Sequence, residues 1–321
     1  MSHSAPTILI TGAAGNLGGL LARHLVGQGR QLQLMMHRTP PAAAVAAAPN
    51  VKVVKADLAV PATLPPAVAG AGVVVHFAGV LFKARPARFL PETNTQWFAN
   101  LLQASLAAQV KRVILISFPH VEGPTTVDNP ARGVLDRRPI SVHAQTRLEE
   151  ERLLFRRTQG TGTNPVVLRA GMVYGRGILM IEAARWLARR RLLGVWREPT
   201  WIQLIATIDF LRATEAAILK PGVSGIYHLG DECPVTLQHF LDAACRLWQV
   251  PRPRRMPLWL IYLAASLCEA YSLLAGAAAP LTRDFVDIGR VSYWGDTRRA
   301  RAELIPELRY PTLDAGLCTL M

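Results

Sequence analysis

The run Ile8-Leu9-Ile10-Thr11-Gly12-Ala13-Ala14-Gly15-Asn16-Leu17-Gly18-Gly19 decides how this chain is read. An apolar, β-branched stretch leads into it, and apolar residues at helical spacing follow it over 17–27. The G-x-x-G-x-x-G spacing therefore lies between a strand and a helix. Each glycine has its own physical reason. Gly12 permits the tight turn, Gly15 lets backbone N–H groups approach a pyrophosphate, and Gly18 lets the helix pack on the strand. The helix N-terminus adds positive potential. Glycine spacing alone describes any Gly-rich turn. With strand and helix flanking it, the run predicts a dinucleotide site built from Gly12, Ala14, Gly15, Asn16, Leu17 and Gly18.

Outward from this loop, short apolar runs at 7–11, 31–36, 51–55, 72–77, 112–117 and 166–169 alternate with helical patterns at 17–27, 98–108 and 144–158. Near-continuous apolar strands separated by helices predict an α/β fold, a doubly wound parallel sheet of Rossmann type. The expected division is a nucleotide-binding domain over 1–170 and a smaller, mainly substrate-side region over 171–321, some of whose segments return to the sheet. Residues 123–139 carry Gly, Pro, Asp, Asn and Arg without apolar period and read as a surface loop.

The second strand ends at Met36-His37-Arg38, without the Asp or Glu that would hold both ribose hydroxyls of NAD. A guanidinium there suits the 2′-phosphate, so the expected cofactor is NADP rather than NAD, read by Arg38. The competing reading of Arg38 is a solvated residue at a strand end.

Of the 36 cations only five are Lys, and the net charge is +14 over 321 residues. An Arg-rich surface suits anionic partners, and a compositional habit explains it equally. No basic run interleaves with aromatics, so nucleic acid is not an expected partner. Cys233, Cys245, Cys268 and Cys318 form no C-x-x-C pair, which argues against a zinc site or disulfide framework and fits a reducing, cytoplasmic location. Residues 1–7 show no charged or long apolar leader, so no secretory signal is expected. Near the other end, 257–279 is apolar, follows Arg252, Arg254 and Arg255, and carries Glu269 in its middle. A packed helix closing an apolar pocket, a helix lying in a membrane interface over 252–276, and a span compete for this stretch; the charge disfavours the span.

Further motifs recur in order. Asp57-Leu58, His76-Phe77-Ala78-Gly79, Asn94, Leu168-Arg169-Ala170-Gly171-Met172-Val173-Tyr174-Gly175, Thr207-Ile208-Asp209 and the tail from Trp294 together resemble the extended short-chain dehydrogenase/reductases of the NAD(P)-dependent epimerase/dehydratase group. The 251–283 stretch looks most like the 3β-hydroxysteroid dehydrogenase-like branch. The resemblance implies that Asp57 and Leu58 contact the adenine. Phe77, Ala78 and Gly79 would pass beside the cofactor, and Ala170 and Val173 would lie near the nicotinamide. It also implies a small-molecule substrate and a homodimer.

That group works through Tyr-x-x-x-Lys on a helix, with Ser or Thr from a strand end. The aligned helix here reads His143-Ala144-Gln145-Thr146-Arg147, so His143 takes the Tyr position and Arg147 the Lys position. At the strand end Phe118 stands where the assisting Ser lies, with Ser117 one residue early. His143 and Arg147, four apart, share a helix face. Imidazole can act as a general acid near neutral pH. Arg147 can bond the cofactor ribose but cannot relay a proton. The candidate catalytic residues are accordingly His143, Arg147 and Ser117. Two functions follow: an NADP-dependent oxidoreductase or epimerase acting on an apolar carbonyl or sugar-like substrate, or a catalytically silent NADP(H)-binding regulatory or assembly protein. The first is the expectation carried forward.

Overall fold

Strands β1 (Ile8–Thr11), β2 (Leu32–Met36), β3 (Val51–Lys55), β4 (Val73–His76), β5 (Arg112–Ser117), β6 (Asn164–Ala170) and β7 (Gly225–Leu229) form one sheet in the spatial order 7-6-5-4-1-2-3. Every neighbouring pair in it is parallel. This is a computed structural model, and the structure describes residues 6–79, 83–276, 279 and 281–321. The strand order reverses between β1 and β4, and the glycine run leaves β1 at that switch point, where ligands of open α/β sheets bind. The doubly wound fold and six of the strands match the sequence expectation to within two residues. The seventh, β7, falls in the region from which some segments were expected to return to the sheet; its short run between Gly225 and Gly230 carries the polar His228 and gave no bounds.

Period-two alternation divides the strand side chains between two layers. Leu9, Val74, Val113, Leu115 and Val167 face Phe98, Leu101, Leu153 and Leu154 of helices α2 (Trp97–Ala107) and α3 (Val142–Thr158). Ile8, Ile10, Val75, Ile114 and Leu168 face Leu21, Leu25, Phe210 and Ala213 of helices α1 (Asn16–Gly27) and α5 (Thr207–Leu219). Helix α4 (Leu179–Arg189) lies between α3 and α5 in the chain. The second layer runs on through Phe240 of α6 (Leu237–Leu247) and Ile261 of α7 (Leu258–Ala275) to Leu320. Helix α8 (Arg283–Gly289) follows α7 and packs against both α7 and α3.

Under the loop at 123–139 lies a buried ionic cluster. Arg169, fully buried on β6, donates through Nε and Nη2 to the Glu151 carboxylate, at 3.1 and 2.5 Å to its Oε2, and through Nη1 to Glu122. It also donates to the Val134 carbonyl at 3.1 Å. Glu122 accepts the Gly133 and Arg132 N–H groups at 2.7 and 3.2 Å. Burial opposes the charge on Glu122. The nearby His228 ring, 3.5 Å away, Arg169 and the Gly133 N–H outweigh it and hold the carboxyl below its usual range. The cluster thus fastens the loop to the sheet edge. Removing the cation would leave two buried carboxylates uncompensated, a loss on the order of 3–5 kcal/mol. We expect Arg169→Leu to lower unfolding stability by about that amount in a denaturant titration. A loss under about 1 kcal/mol would contradict this account of the cluster.

Candidate active site

The turn after β1 leaves no room for side chains. Gly12 has φ +70°, and a Cβ on it would lie 2.9 Å from the Ala78 nitrogen. A Cβ on Gly18 would meet the Gly12 carbonyl oxygen at 2.4 Å, so the helix–strand approach predicted for Gly18 is an observed steric requirement. Gly15 donates to that same carbonyl at 2.8 Å. The α1 N-terminus has neither a side-chain cap nor an acid in its first turn. Its N–H groups open beside the exposed Ala14, Gly15 and Asn16, a surface that fits a pyrophosphate. Leu17 and Gly18 turn back toward the protein. The Asn16 side chain is engaged elsewhere, holding the Gly177 carbonyl at 2.6 Å and the Leu179 N–H at 2.9 Å. Its backbone remains the part that can meet phosphate.

Beyond β2, Arg38 is exposed. His37 Nε2 lies 3.1 Å from the Asp57 carboxylate, which also accepts the Ala59 N–H at 2.9 Å. Leu58 is buried, with its carbonyl held by Asn100. Arg38, Asp57 and Leu58 thus stand together at the adenosine end of the predicted site.

At the other end, Phe77, Ala78 and Gly79 continue from β4 past the glycine turn. Arg147 Nη2 comes within 3.4 Å of where a Gly79 Cβ would sit, with Asn94 Oδ1 at 3.9 Å. The guanidinium thus lies in van der Waals range of this segment of chain. Asn94 donates to Thr146 at 3.1 Å, fixing the helix turn that carries Arg147. Arg147 also meets Glu150 at 2.6 Å. Burial pushes the Glu150 carboxyl up to about 7, against the pull of Arg147. His76 beneath is pushed down to about 3 by burial, with Arg147 adding to the effect, and its Nδ1 meets Thr11 Oγ1 at 2.8 Å. The neutral ring adds no positive charge next to Arg147. Ala170 and Val173 are buried on either side of Gly171, which a Cβ would drive into the Gln203 carbonyl at 2.4 Å.

His143 sits one turn before Arg147, and its Nδ1 is hydrogen-bonded to Asp284 Oδ2. The other oxygen of Asp284 accepts the Val142 N–H at 2.7 Å. Ser141 Oγ accepts the Ala144 N–H at 3.2 Å, so the first turn of α3 is fixed from two sides. Asp284 was absent from the sequence-based site. It lies 141 residues from His143 in the chain, and no local spacing announces such a pair.

The proposed catalytic role of Ser117 is corrected. Its hydroxyl donates at 2.5 Å to Glu151 inside the buried Arg169 cluster. Glu151 lies eight residues past His143 on α3, roughly 12 Å along the helix axis. Ser117 therefore serves the architecture. Phe118 packs its ring against His120, which in turn lies 4.1 Å from the Tyr293 ring. Burial pushes His120 down to about 3, so it is a neutral packing residue. Asp209 accepts the Arg309 and Tyr310 N–H groups at 2.8 and 2.9 Å, again a structural part.

Comparisons with known proteins bear on this arrangement. The signature of the NAD dependent epimerase/dehydratase family matches residues 8–217, which include the glycine turn, His143 and Arg147. Uronate dehydrogenase of Pseudomonas putida is 28% identical over 181 residues, 56% of this chain and 66% of that protein. The chain thus spans just under two thirds of that relative. The 2-alkyl-3-oxoalkanoate reductase of Stenotrophomonas maltophilia is 27% identical over 340 residues, 92% of this chain and 98% of that one. Among solved structures, the UDP-glucuronic acid 4-epimerase of Bacillus cereus, in complex with NAD and a UDP-sugar analogue, superposes with a TM-score of 0.74 at 17% identity. That superposition covers 98% of this chain and 97% of the other. At such identity it speaks for the fold alone. Signature, sheet order and glycine geometry agree, and the chain belongs to the NAD dependent epimerase/dehydratase family.

Proposed function

We propose that the protein is an NADP(H)-dependent reductase of an apolar ketone, with His143 as proton donor and Asp284 as the group that orients it. The observation that carries this reading is the Asp284–His143 pair on the helix face that also presents Arg147 beside Gly79. A carboxylate on Nδ1 fixes the tautomer and orientation of an imidazole, as in hydrolytic triads. Nε2 is then the atom at which the transferred proton sits. Reduced nicotinamide supplies a hydride to the carbonyl carbon. The chain's part is the single proton taken by the carbonyl oxygen, after which His143 is left neutral and recharges from solvent. Arg147 bonds the ribose hydroxyls and remains charged throughout, with Glu150 offsetting part of that charge. The end-to-end match to a protein named as a reductase of a 2-alkyl-3-oxoalkanoate supports an aliphatic ketone as the substrate class.

Two outcomes check the reading. In steady-state NADPH oxidation over a panel of 2-alkyl-3-oxo acids, simple long-chain ketones and UDP-sugars, apolar ketones should turn over. His143→Ala should lower kcat by about 10²-fold or more with the KM for NADPH unchanged. No turnover on any member of the panel would favour a silent cofactor-binding protein, and a kcat indifferent to the substitution would remove His143 from the chemistry.

The second outcome concerns the cofactor. The exposed Arg38, next to a His37 that lies 3.1 Å from the Asp57 carboxylate, offers the 2′-phosphate a cation. NADPH should bind at least ~10-fold tighter than NADH, the scale of one charge-assisted contact. Arg38→Asp should erase or invert that ratio in a fluorescence titration. Equal affinities in the unaltered protein would assign NAD instead.

A further inference from the structure

Helix α7 is, among the described residues, the one helix long and apolar enough to cross a membrane, yet only 22% of it is buried. The expectation of a packed helix thus holds for one face of α7, where Ile261 and Ala265 join the core; residues 277 and 278 of that sequence stretch lie outside the described residues. Ile261, Ala265, Glu269 and Ser272 form its buried face. Trp259, Leu263, Leu267, Tyr271 and Leu274 form the opposite one at i, i+4 and i+3 spacing, with Trp259 64% and Leu274 90% exposed. The only charged side chain in α7, Glu269, is turned into the protein, where the Arg283 N–H and Nε reach its carboxylate at 2.7 and 3.0 Å. The outward face is consequently an apolar strip without charge, roughly 24 Å long at helical rise.

At the N-terminal end of this strip the charge changes abruptly. The strand Arg254–Met256 pairs with Gly194–Trp196, and Arg191, Arg252 and Arg254 line one depression of about 180 Å³ beside the exposed Leu192. None of the three arginines has an acidic partner among the described residues, whereas the neighbouring Arg255 is paired with Asp242 at 2.7 Å. An apolar helix face, an aromatic at its N-terminal end and unanswered cations in the segment leading into it are the features of a helix lying in a lipid headgroup layer.

We infer that α7 docks the protein on an anionic membrane surface, lying in the plane of the interface with Arg191, Arg252 and Arg254 against the lipid phosphates. A spanning orientation is excluded by its own inner face, since it would carry Glu269 and Arg283 into hydrocarbon and strip α7 from α8. A second copy fits the face less well than lipid does, because it would bring both arginine sets together with no carboxylate to answer them. The inference stands apart from the proposed reaction. The two do meet in space, because α7 is tied to α8, the helix that carries Asp284, by Tyr262 donating to Asp287 at 2.5 Å and by Glu269 holding Arg283. Docking through α7 places the His143 site close to a reservoir of apolar ligands.

Co-sedimentation of the full chain with phosphatidylcholine vesicles containing about a third phosphatidylserine, against pure phosphatidylcholine, tests this. The expected result is binding to the anionic vesicles that weakens with salt. Arg252→Gln and Arg254→Gln should each lower partitioning about fivefold, the effect of one arginine near such a surface. Leu263→Glu with Leu267→Glu should abolish binding while the circular dichroism spectrum is retained. Wild-type protein left in the supernatant at low salt would overturn the inference, as would vesicle binding indifferent to both sets of substitutions. A dimer that the paired leucine substitutions dissociate, without vesicle binding, would overturn it in favour of a subunit interface.

Discussion

Asp284 holds the first turn of α3 with one carboxylate oxygen and the His143 ring with the other. An acid at a helix N-terminus is favoured by the helix dipole, and hydrogen bonds to a charged group contribute about 1.5–3 kcal/mol apiece. The same residue is thus a cap, a ring orienter and the tie between the C-terminal helices and the nucleotide-binding layer. Remove it and α3 loses an N-terminal partner at the point where the site begins. The imidazole would then lose the carboxylate on its Nδ1.

Two classes of buried charge lie along α3 and act differently. Glu151 faces the sheet and joins Ser117, Arg169 and Glu122 in a cluster that fastens the 123–139 loop. Glu150, one residue earlier, faces Arg147 and shares the site. The hydroxyl that related enzymes bring to the substrate from the strand end has here been drawn into the architecture, and a phenylalanine follows it. A site with Arg in place of Lys and His in place of Tyr needs another way to fix its proton donor. In the proposed reaction the carboxylate on α8 would supply it.

What could be read from sequence was what local spacing encodes. The glycine turn, six sheet strands and the shared face of His143 and Arg147 depend on residues within a few positions of one another, and their geometry follows from helix and strand period. The bounds of the seventh strand were hidden because its short run between Gly225 and Gly230 carries the polar His228. Asp284 was hidden because its partner is 141 residues away. Ser117 was misread for a related reason: whether a strand-end hydroxyl serves chemistry or structure depends on what lies across the layer, and Glu151 lies there. Glu269 was read as a penalty against a membrane span. Its orientation, which sequence alone does not give, turns it into a residue of the protein-facing side.

The central claim, that Asp284 makes a proton donor of His143, is tested most directly by the kcat of Asp284→Asn for ketone reduction. Asparagine keeps an oxygen to accept the Val142 N–H, so the helix start is preserved, but it offers His143 an amide in place of a carboxylate. The expected result is a fall in kcat of roughly 10²- to 10⁴-fold, the scale on which losing the carboxylate beside a catalytic histidine acts in a triad, with cofactor affinity intact. A variant that turns over at the wild-type rate would contradict it.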